Sequence, residues 1–379
     1  MAIPSWYPSD SNPGFGIFVK RHLVEVSRFC EVHVLYFNLN LNQGLIESGT
    51  RYETKKVDGV LEHTVHVASS RGKLFSILLI WYWYARLVLF GPLGKHDIKH
   101  VHVPYHMAVF LAPFLFFSRK PMVITEHWSG FFAEDGRFAR LPELFQRTLK
   151  AVFRRANTIT VVSEALASAI RKAFNMDTGI QIIPNVVDLG IQVRSTEGIK
   201  PDNFLMIANF NNVEKNITGV IDAFVEFRRS HFNAALTIIG TGPDFDMIRN
   251  YVLGKGVDSS SIDMPGYVSP KNLLSYFSGA TCYVLNSNFE TFSISTLEAL
   301  LHGVPVIVTK CKGPESFVNS KNGILVDIGS GAQLLSAMEL MSQTYLQYNP
   351  LDIRKSIPEQ VIADTGESFY SIYRNLIST

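Results

Sequence analysis

The stretch Val284-Leu285-Asn286-Ser287-Asn288-Phe289-Glu290-Thr291-Phe292-Ser293-Ile294-Ser295-Thr296-Leu297-Glu298-Ala299-Leu300-Leu301-His302-Gly303-Val304-Pro305 decides how this chain reads. The apolar run Cys282 to Leu285 has the length and composition of a buried strand. Ser293, Ser295 and Thr296 stand where a helix opens, and that helix runs to His302. Val304 to Thr309 is the next strand. Glu290 leaves the first strand end, and Glu298 lies a turn or so inside the helix. Eight residues span about 12 Å in a helix, so both carboxylates can face one extended ligand. The helix N-terminus between them offers free N–H groups and a positive dipole, which suits a phosphate. Carboxylates beside a phosphate site suit sugar or ribose hydroxyls, which donate hydrogen bonds. Spacing alone leaves a second reading open, with Glu298 a solvated helical residue and Glu290 a capping acid.

The same alternation of short apolar strands and helices extends outward in both directions. Upstream lie strands Phe204 to Ala208 and Ala235 to Ile239, with helices predicted over Thr218 to Arg229, Phe245 to Leu253 and Pro270 to Ser278. The N-terminal half reads the same way. Its helix Gly16 to Phe29 precedes strand Val32 to Phe37. Strand His100 to Val103, helix Met107 to Phe117 and strand Met122 to Thr125 follow. Helix Leu141 to Arg155 and strand Thr158 to Val162 come next, with Ser163 as an N-cap. Strand Ile180 to Ile183 ends at Pro184-Asn185, and a polar stretch runs on to Asp202. The fold class is therefore α/β: two Rossmann-like domains, 1–187 and 188–365, with parallel sheets facing an inter-domain cleft. The C-terminal helix 366–379 is expected to join the first domain.

Composition narrows the function. The chain has 379 residues, and 35 basic against 33 acidic side chains give a formal charge of +2. That balance gives no reason to expect a nucleic-acid partner. Charged residues are 18%, against about 25% in an ordinary soluble domain. Cys30, Cys282 and Cys311 form no C-x-x-C, so neither a zinc knuckle nor a disulfide framework is indicated, and a reducing compartment fits. Leu74 to Phe90 is apolar but short for a span and carries Arg86, so a buried or interfacial helix is expected. Arg137, Arg140, Arg147, Lys150, Arg154 and Arg155 interleave with Phe138, Leu141, Leu144, Phe145, Leu149 and Phe153. This basic amphipathic face is either solvated or a docking face for anionic lipid.

Glu290-x7-Glu298, followed by Ala299, Gly303, Val304 and Pro305, resembles the signature of retaining GT-B glycosyltransferases of family 4. Further matches follow in the family's order. Pro4 to Pro8 and Gly14 to Val19 resemble the opening strand and glycine loop, and Thr125-Glu126-His127 the N-domain histidine motif. Ile183 to Asp188 resembles the inter-domain segment. Lys215, Gly240-Thr241-Gly242-Pro243 and Gly266-Tyr267 resemble the donor-side loops. The resemblance implies transfer of a hexosyl group from a nucleotide-diphosphate sugar to a hydroxyl acceptor, with anomeric configuration retained. It implies catalytic roles for His127, Glu290 and Lys215. The implied donor-binding residues are Gly16, Asn209, Lys215, Gly240, Gly242, Tyr267, Glu290, Phe292, Ser293, Ile294, Ser295 and Glu298. Glu298 would take the ribose hydroxyls, and Lys215 would neutralise the departing diphosphate. No metal or resident cofactor is implied.

The sequence departs from the pattern in two places. Asn209 stands where the family has an arginine, so the diphosphate loses a cation. Ser293 stands where the family has a glycine. The first strand is short, as if the chain began inside it. The expected acceptor is a glycan or a lipid-linked sugar of cell-surface polysaccharide or glycolipid synthesis. The expected place is the cytoplasm, peripheral to an anionic membrane face. One alternative is a sugar-nucleotide 2-epimerase, for which Glu126 and Glu134 are the nearest candidate acids. Another is a non-catalytic nucleotide-sugar-binding subunit. Asp244-Phe245-Asp246 could suggest a metal, but it opens a helix, where the dipole favours Asp. His102, His106 and His127 lack the carboxylate or cysteine spacing that would support zinc.

Overall fold

A computed structural model of the chain describes residues 1–9, 12, 14–39, 50–67, 72–176, 179–187, 191–195, 199, 201–258 and 261–378. Asp188, at the end of the expected inter-domain segment, lies outside them. The chain forms two compact units, Met1–Val186 with Ala363–Thr379, and Val187–Ile362.

Among the described residues the first unit carries a sheet of eight strands: β1 Ala2–Pro4, β2 His33–Leu39, β3 Arg51–Val57, β4 Val60–Val67, β5 Lys99–His102, β6 Met122–Glu126, β7 Thr158–Val161 and β8 Ile180–Ile182. Their order is β3-β4-β2-β1-β5-β6-β7-β8. All pairs are parallel except β3 with β4. That hairpin is absent from the sequence reading because β3 is a mostly exposed, charged edge strand without an apolar run. Its signal is the turn Asp58-Gly59, where both residues take positive φ, 49° and 83°, as a tight hairpin requires. The strand order reverses between β1 and β5, and the carboxyl ends of those strands are where a ligand crevice forms in such sheets.

The second unit carries six parallel strands: β9 Asn203–Ile207, β10 Ala235–Ile239, β11 Ile262–Gly266, β12 Cys282–Leu285, β13 Val306–Thr309 and β14 Gly323–Val326. Their order, β11-β10-β9-β12-β13-β14, reverses between β9 and β12. β9, β12 and β13 are almost wholly buried, the mark of parallel strands covered on both faces.

The expected helical runs are found with two changes, and Gly331–Thr344 and Pro350–Lys355 are helices that the sequence reading lacks. Met107 to Phe117 is not one helix but two, Met107–Phe110 and Ala112–Phe116, with Pro113 in the first turn of the second. The apolar run from Leu74 is an α-helix, Lys73–Tyr84, that widens into a π-helix over Ala85–Leu89. It buries Ser76, Ile80 and Tyr84, while Leu74, Leu78 and Tyr82 are exposed. Among the described residues no helix is long and apolar enough to cross a membrane. The C-terminal helix Thr365–Ile377 lies on the helix Ile17–Val26. Gly366 permits that approach, since a Cβ there would come within 2.6 Å of the Glu25 carbonyl oxygen.

Candidate active site

In the second unit the loops at the carboxyl ends of β9 and β12 leave from the switch point. After β9 the chain turns through Asn209 and Phe210 into the one-turn helix Asn212–Lys215. The Asn211 side chain caps that turn by accepting from the Glu214 N–H at 3.3 Å. After β12 it runs through Asn286 to Ser293 into the helix Ile294–Leu301. The two loops are stitched together: Asn288 N–H donates to the Glu214 carbonyl at 2.8 Å, and the Asn288 side chain to the Val213 carbonyl at 2.8 Å. This brings Lys215 Nζ to 2.5 Å from Glu290 Oε1, across 75 residues of chain. Glu290 Oε1 also accepts from Ser287 Oγ at 2.9 Å. The two side chains are only 15% and 11% exposed. Burial alone would lower the Lys215 pKa; the charge and hydrogen bond of Glu290 outweigh it and hold the ammonium above its ordinary value.

The surrounding donor-side residues fall into place around this pair. Gly240 and Gly242 are demanded by close approach: a Cβ on Gly240 would sit 1.9 Å from the Ala208 carbonyl oxygen, and one on Gly242 2.5 Å from Asn209 Oδ1. Asn209 is exposed at this junction. Asp244 is spoken for, since its Oδ2 accepts from the Asn212 N–H at 2.7 Å and so holds the Lys215 turn. Tyr267 follows β11 and is exposed. Phe292 turns its ring inward against Phe317. Ser293 has φ +71° and ψ +77°, left-handed for a residue with a side chain, and its hydroxyl pairs with Thr296 Oγ1 at 2.7 Å. Ser295, in the first turn after Ile294, pairs with the Tyr283 hydroxyl at 2.7 Å, and that hydroxyl donates its proton to the Ile207 carbonyl at 3.1 Å. Burial raises the Tyr283 pKa, and the Glu290 and Glu298 charges act on it in the same direction. Glu298 is half-buried on the helix.

The sequence reading missed the loop after β13. Glu290 N–H donates to the Cys311 carbonyl at 2.9 Å, and Glu290 bridges Lys312 backbone to backbone. Gly313 lies so close that a Cβ would reach 2.6 Å from the Phe292 nitrogen. Its only advance signal is Cys311-Lys312-Gly313-Pro314, a turn without a strong motif.

In the first unit, Gly16 starts the helix Ile17–Val26 at φ +70°. A Cβ there would lie 2.4 Å from the Trp6 backbone carbon. Gly16 is therefore required first by its own unit, before any ligand approaches. His127 follows β6 and is 5% exposed. It does not stand alone: His22, from the helix, and His102, at the end of β5, lie beside it, with ring centroids 5.1 and 6.1 Å away. His106 is elsewhere, against Tyr105 and Phe110. His22 was legible in principle, because it shares the buried face of its helix with Val19, Leu23 and Val26. Burial pushes His22 down to about 3 and lowers His102 and His127 well below the usual imidazole range. Glu126 is fully buried, and its Oε1 accepts from the backbone N–H groups of His127 and Trp128, both at 2.8 Å. Burial pushes its pKa up to about 8 against those two hydrogen bonds.

Residues 192–349 match the family profile described as Glycosyl transferases group 1, and residues 19–190 match Glycosyltransferase Family 4. The chain belongs to the GT-B glycosyltransferases of family 4. It is 24% identical over 296 residues to N-acetyl-alpha-D-glucosaminyl L-malate synthase of Bacillus anthracis, covering 74% of this chain and 75% of that protein. It is 33% identical over 130 residues to alpha-monoglucosyldiacylglycerol synthase of Acholeplasma laidlawii, covering 34% of this chain and 32% of that protein. Anabaena HepE, solved in complex with UDP, shares the fold at TM-score 0.70 and 15% identity over 99% of both chains.

This glycosyltransferase also carries an apolar and basic surface on its first unit. Leu74, Leu78, Tyr82, Leu89, Phe90, Phe117 and Leu144 are exposed. The supporting elements touch: Trp81 Nε1 donates to the Phe110 carbonyl at 2.7 Å, and Arg155 to the Ser118 carbonyl at 2.5 Å. Of the six basic residues expected to form one face, Arg137 is instead clamped to Asp135 at 2.6 Å, and Arg140 bonds the Asp135 carbonyl at 2.6 Å. Arg147 pairs with Glu143 at 2.6 Å.

Proposed function

We propose that this protein transfers a hexosyl group from a nucleotide-diphosphate sugar to a glycan or lipid-linked hydroxyl, with retention at the anomeric carbon. The observation that carries this reading is the Lys215–Glu290 pair at the switch point of the second unit, beside the open N-terminus of the helix Ile294–Leu301. A half-buried ammonium and free helix N–H groups suit a diphosphate, and the cation's work grows as the leaving group gains charge. Donor binding would draw Lys215 from Glu290 onto phosphate, freeing the carboxylate for a sugar hydroxyl. Glu298 takes the ribose hydroxyls. The Gly240–Gly242 turn, Asn209, Tyr267 and the segment Phe292 to Ser295 shape the rest of the donor pocket. For Gly16 and His127, in the first unit, the family resemblance implies donor-side roles. Lys215 and the helix supply the countercharge, so no divalent ion is required at the diphosphate.

The glycolipid synthase among the relatives and the exposed apolar stripe favour a lipid-linked acceptor at an anionic, cytoplasmic membrane face. Apolar side chains can enter the headgroup layer while each basic residue near it contributes about 1 kcal/mol. The epimerase reading is disfavoured by the full burial of Glu126, whose Oε1 caps its own backbone. Incubation with UDP-, GDP- and ADP-sugars tests the proposal: free nucleoside diphosphate should accumulate with an acceptor glycolipid present. Conversion of the donor sugar to its 2-epimer without acceptor would refute it.

A further inference from the structure

His22, His102 and His127 come from three rigid elements: a helix, the carboxyl end of β5 and the residue after β6. One ring nitrogen from each lies within 4.8 Å of the other two. All three rings are buried, and among the described residues none of their six ring nitrogens makes a hydrogen bond of good geometry, although the Pro184 backbone faces His22 and the Asn185 side chain faces His127. His102 is left with neither ring nitrogen engaged, and each such unmade bond costs about 1–3 kcal/mol. Nearby, Asn185 Oδ1 is also buried without a partner.

We infer that His22, His102 and His127 form a binding site for a borderline transition-metal ion such as Zn²⁺ inside the first unit, where His127 serves as a metal ligand in place of the donor-side role the resemblance implies. A tetrahedral zinc with nitrogens at about 2.0–2.1 Å holds them roughly 3.4 Å apart. Each ring therefore needs to move by less than about 1 Å. Three histidines leave a fourth position, for which Asn185 Oδ1 or a water is the available oxygen. Imidazole sets of this kind take zinc, cobalt or nickel rather than Mg²⁺ or Mn²⁺, so the site is chemically distinct from a divalent ion at a diphosphate. Ligation through one nitrogen would leave the other nitrogen of His127 an obligate N–H donor. Its tautomer would then be fixed by the metal.

The test uses the full-length protein produced in zinc-supplemented medium and passed through gel filtration without chelator. The expected result is about one zinc per chain, with X-ray absorption showing three imidazole ligands. His22→Gln and His102→Gln should each lower retained metal at least tenfold. His33→Gln, in the separate His33–His63 contact of β2 and β4, should keep it. If the variants fail to fold, the coordination number of the wild-type protein decides. Less than about 0.1 metal per chain after incubation with excess Zn²⁺, Co²⁺ or Ni²⁺ overturns the inference. So does fewer than three imidazoles, or full retention in folded His22→Gln and His102→Gln.

Discussion

Removing the Lys215 ammonium should do two separable things. In the ligand-free protein the ammonium lies 2.5 Å from a carboxylate that is 11% exposed. Lys215→Met leaves that carboxylate with the Ser287 hydroxyl as its remaining side-chain donor. Stranding one partner of a buried pair costs about 3–5 kcal/mol, whereas replacing both partners is often near neutral. Because Glu290 keeps one hydrogen bond and some exposure, about 3 kcal/mol is expected. A domain of 150–250 residues shifts by about 2–4 °C per kcal/mol, so the second unit should melt roughly 6–12 °C lower. The double variant Lys215→Met/Glu290→Gln should recover at least half of the loss. The sign with pH follows from the raised Lys215 pKa. The pair's stabilisation is complete below the unfolded lysine value and fades only as pH rises through the folded one, so the cycle is flat between pH 6 and 9. The assay is a double-mutant cycle by calorimetry or urea unfolding at pH 7. Coupling below about 0.5 kcal/mol would refute a pre-formed pair. In turnover, Lys215→Ala should lower kcat more than it raises KM; a change confined to KM would mean that Lys215 only holds the ground state.

Other outcomes follow from single residues. Glu298→Ala should weaken donor binding by about 1–3 kcal/mol, the cost of a lost charged hydrogen-bond partner, and titration calorimetry reads it. Ser293→Gly removes a left-handed non-glycine residue, a strain of about 1–3 kcal/mol, at the expense of the Thr296 hydrogen bond; a net gain of about 1 kcal/mol in thermal melts is expected. Glu126, raised to about 8 by burial, binds its proton more tightly folded than unfolded. Stability of the first unit should therefore fall as pH rises from about 4.5 to 8, by on the order of 4 kcal/mol. Glu126→Gln should flatten that alkaline limb in pH-dependent melts. The acid limb remains, because the lowered histidines favour the fold only while neutral. Reversible flotation with anionic vesicles, released by salt, is expected of the exposed stripe, and changing Leu78, Phe90 and Phe117 to Ser should abolish it.

How much of this was legible depends on whether the signal is local. Parallel strands buried on both faces announce themselves as apolar runs, so β2, β6, β9, β12 and β13 could be placed from sequence. The β3–β4 edge carries Arg51, Glu53, Lys55 and Lys56 toward solvent, and only its turn residues betray it. Glu290 and Glu298 lie on one strand–loop–helix unit, so their placement at a strand end and on the following helix is visible in the sequence, while spacing alone leaves their roles open. The contact of Glu290 with Lys215 is set by the reversal of strand order between β9 and β12, which no window of sequence contains. The histidine cluster is hidden for the same reason: three elements meet at the carboxyl ends of β5 and β6. The backbone bridge between Glu290 and Lys312 is equally hidden, because it joins the site to a loop that carries no motif.

The central claim is that the second unit binds a nucleoside diphosphate through Lys215, the helix Ile294–Leu301 and Glu298. Titration calorimetry of UDP, GDP and ADP into the full chain without divalent metal tests it most directly. One of the three should bind at one per chain, with affinity reduced at least tenfold in Lys215→Ala and in Glu298→Ala. Absence of binding by all three at millimolar concentration, or equal affinity in both variants, would contradict the account.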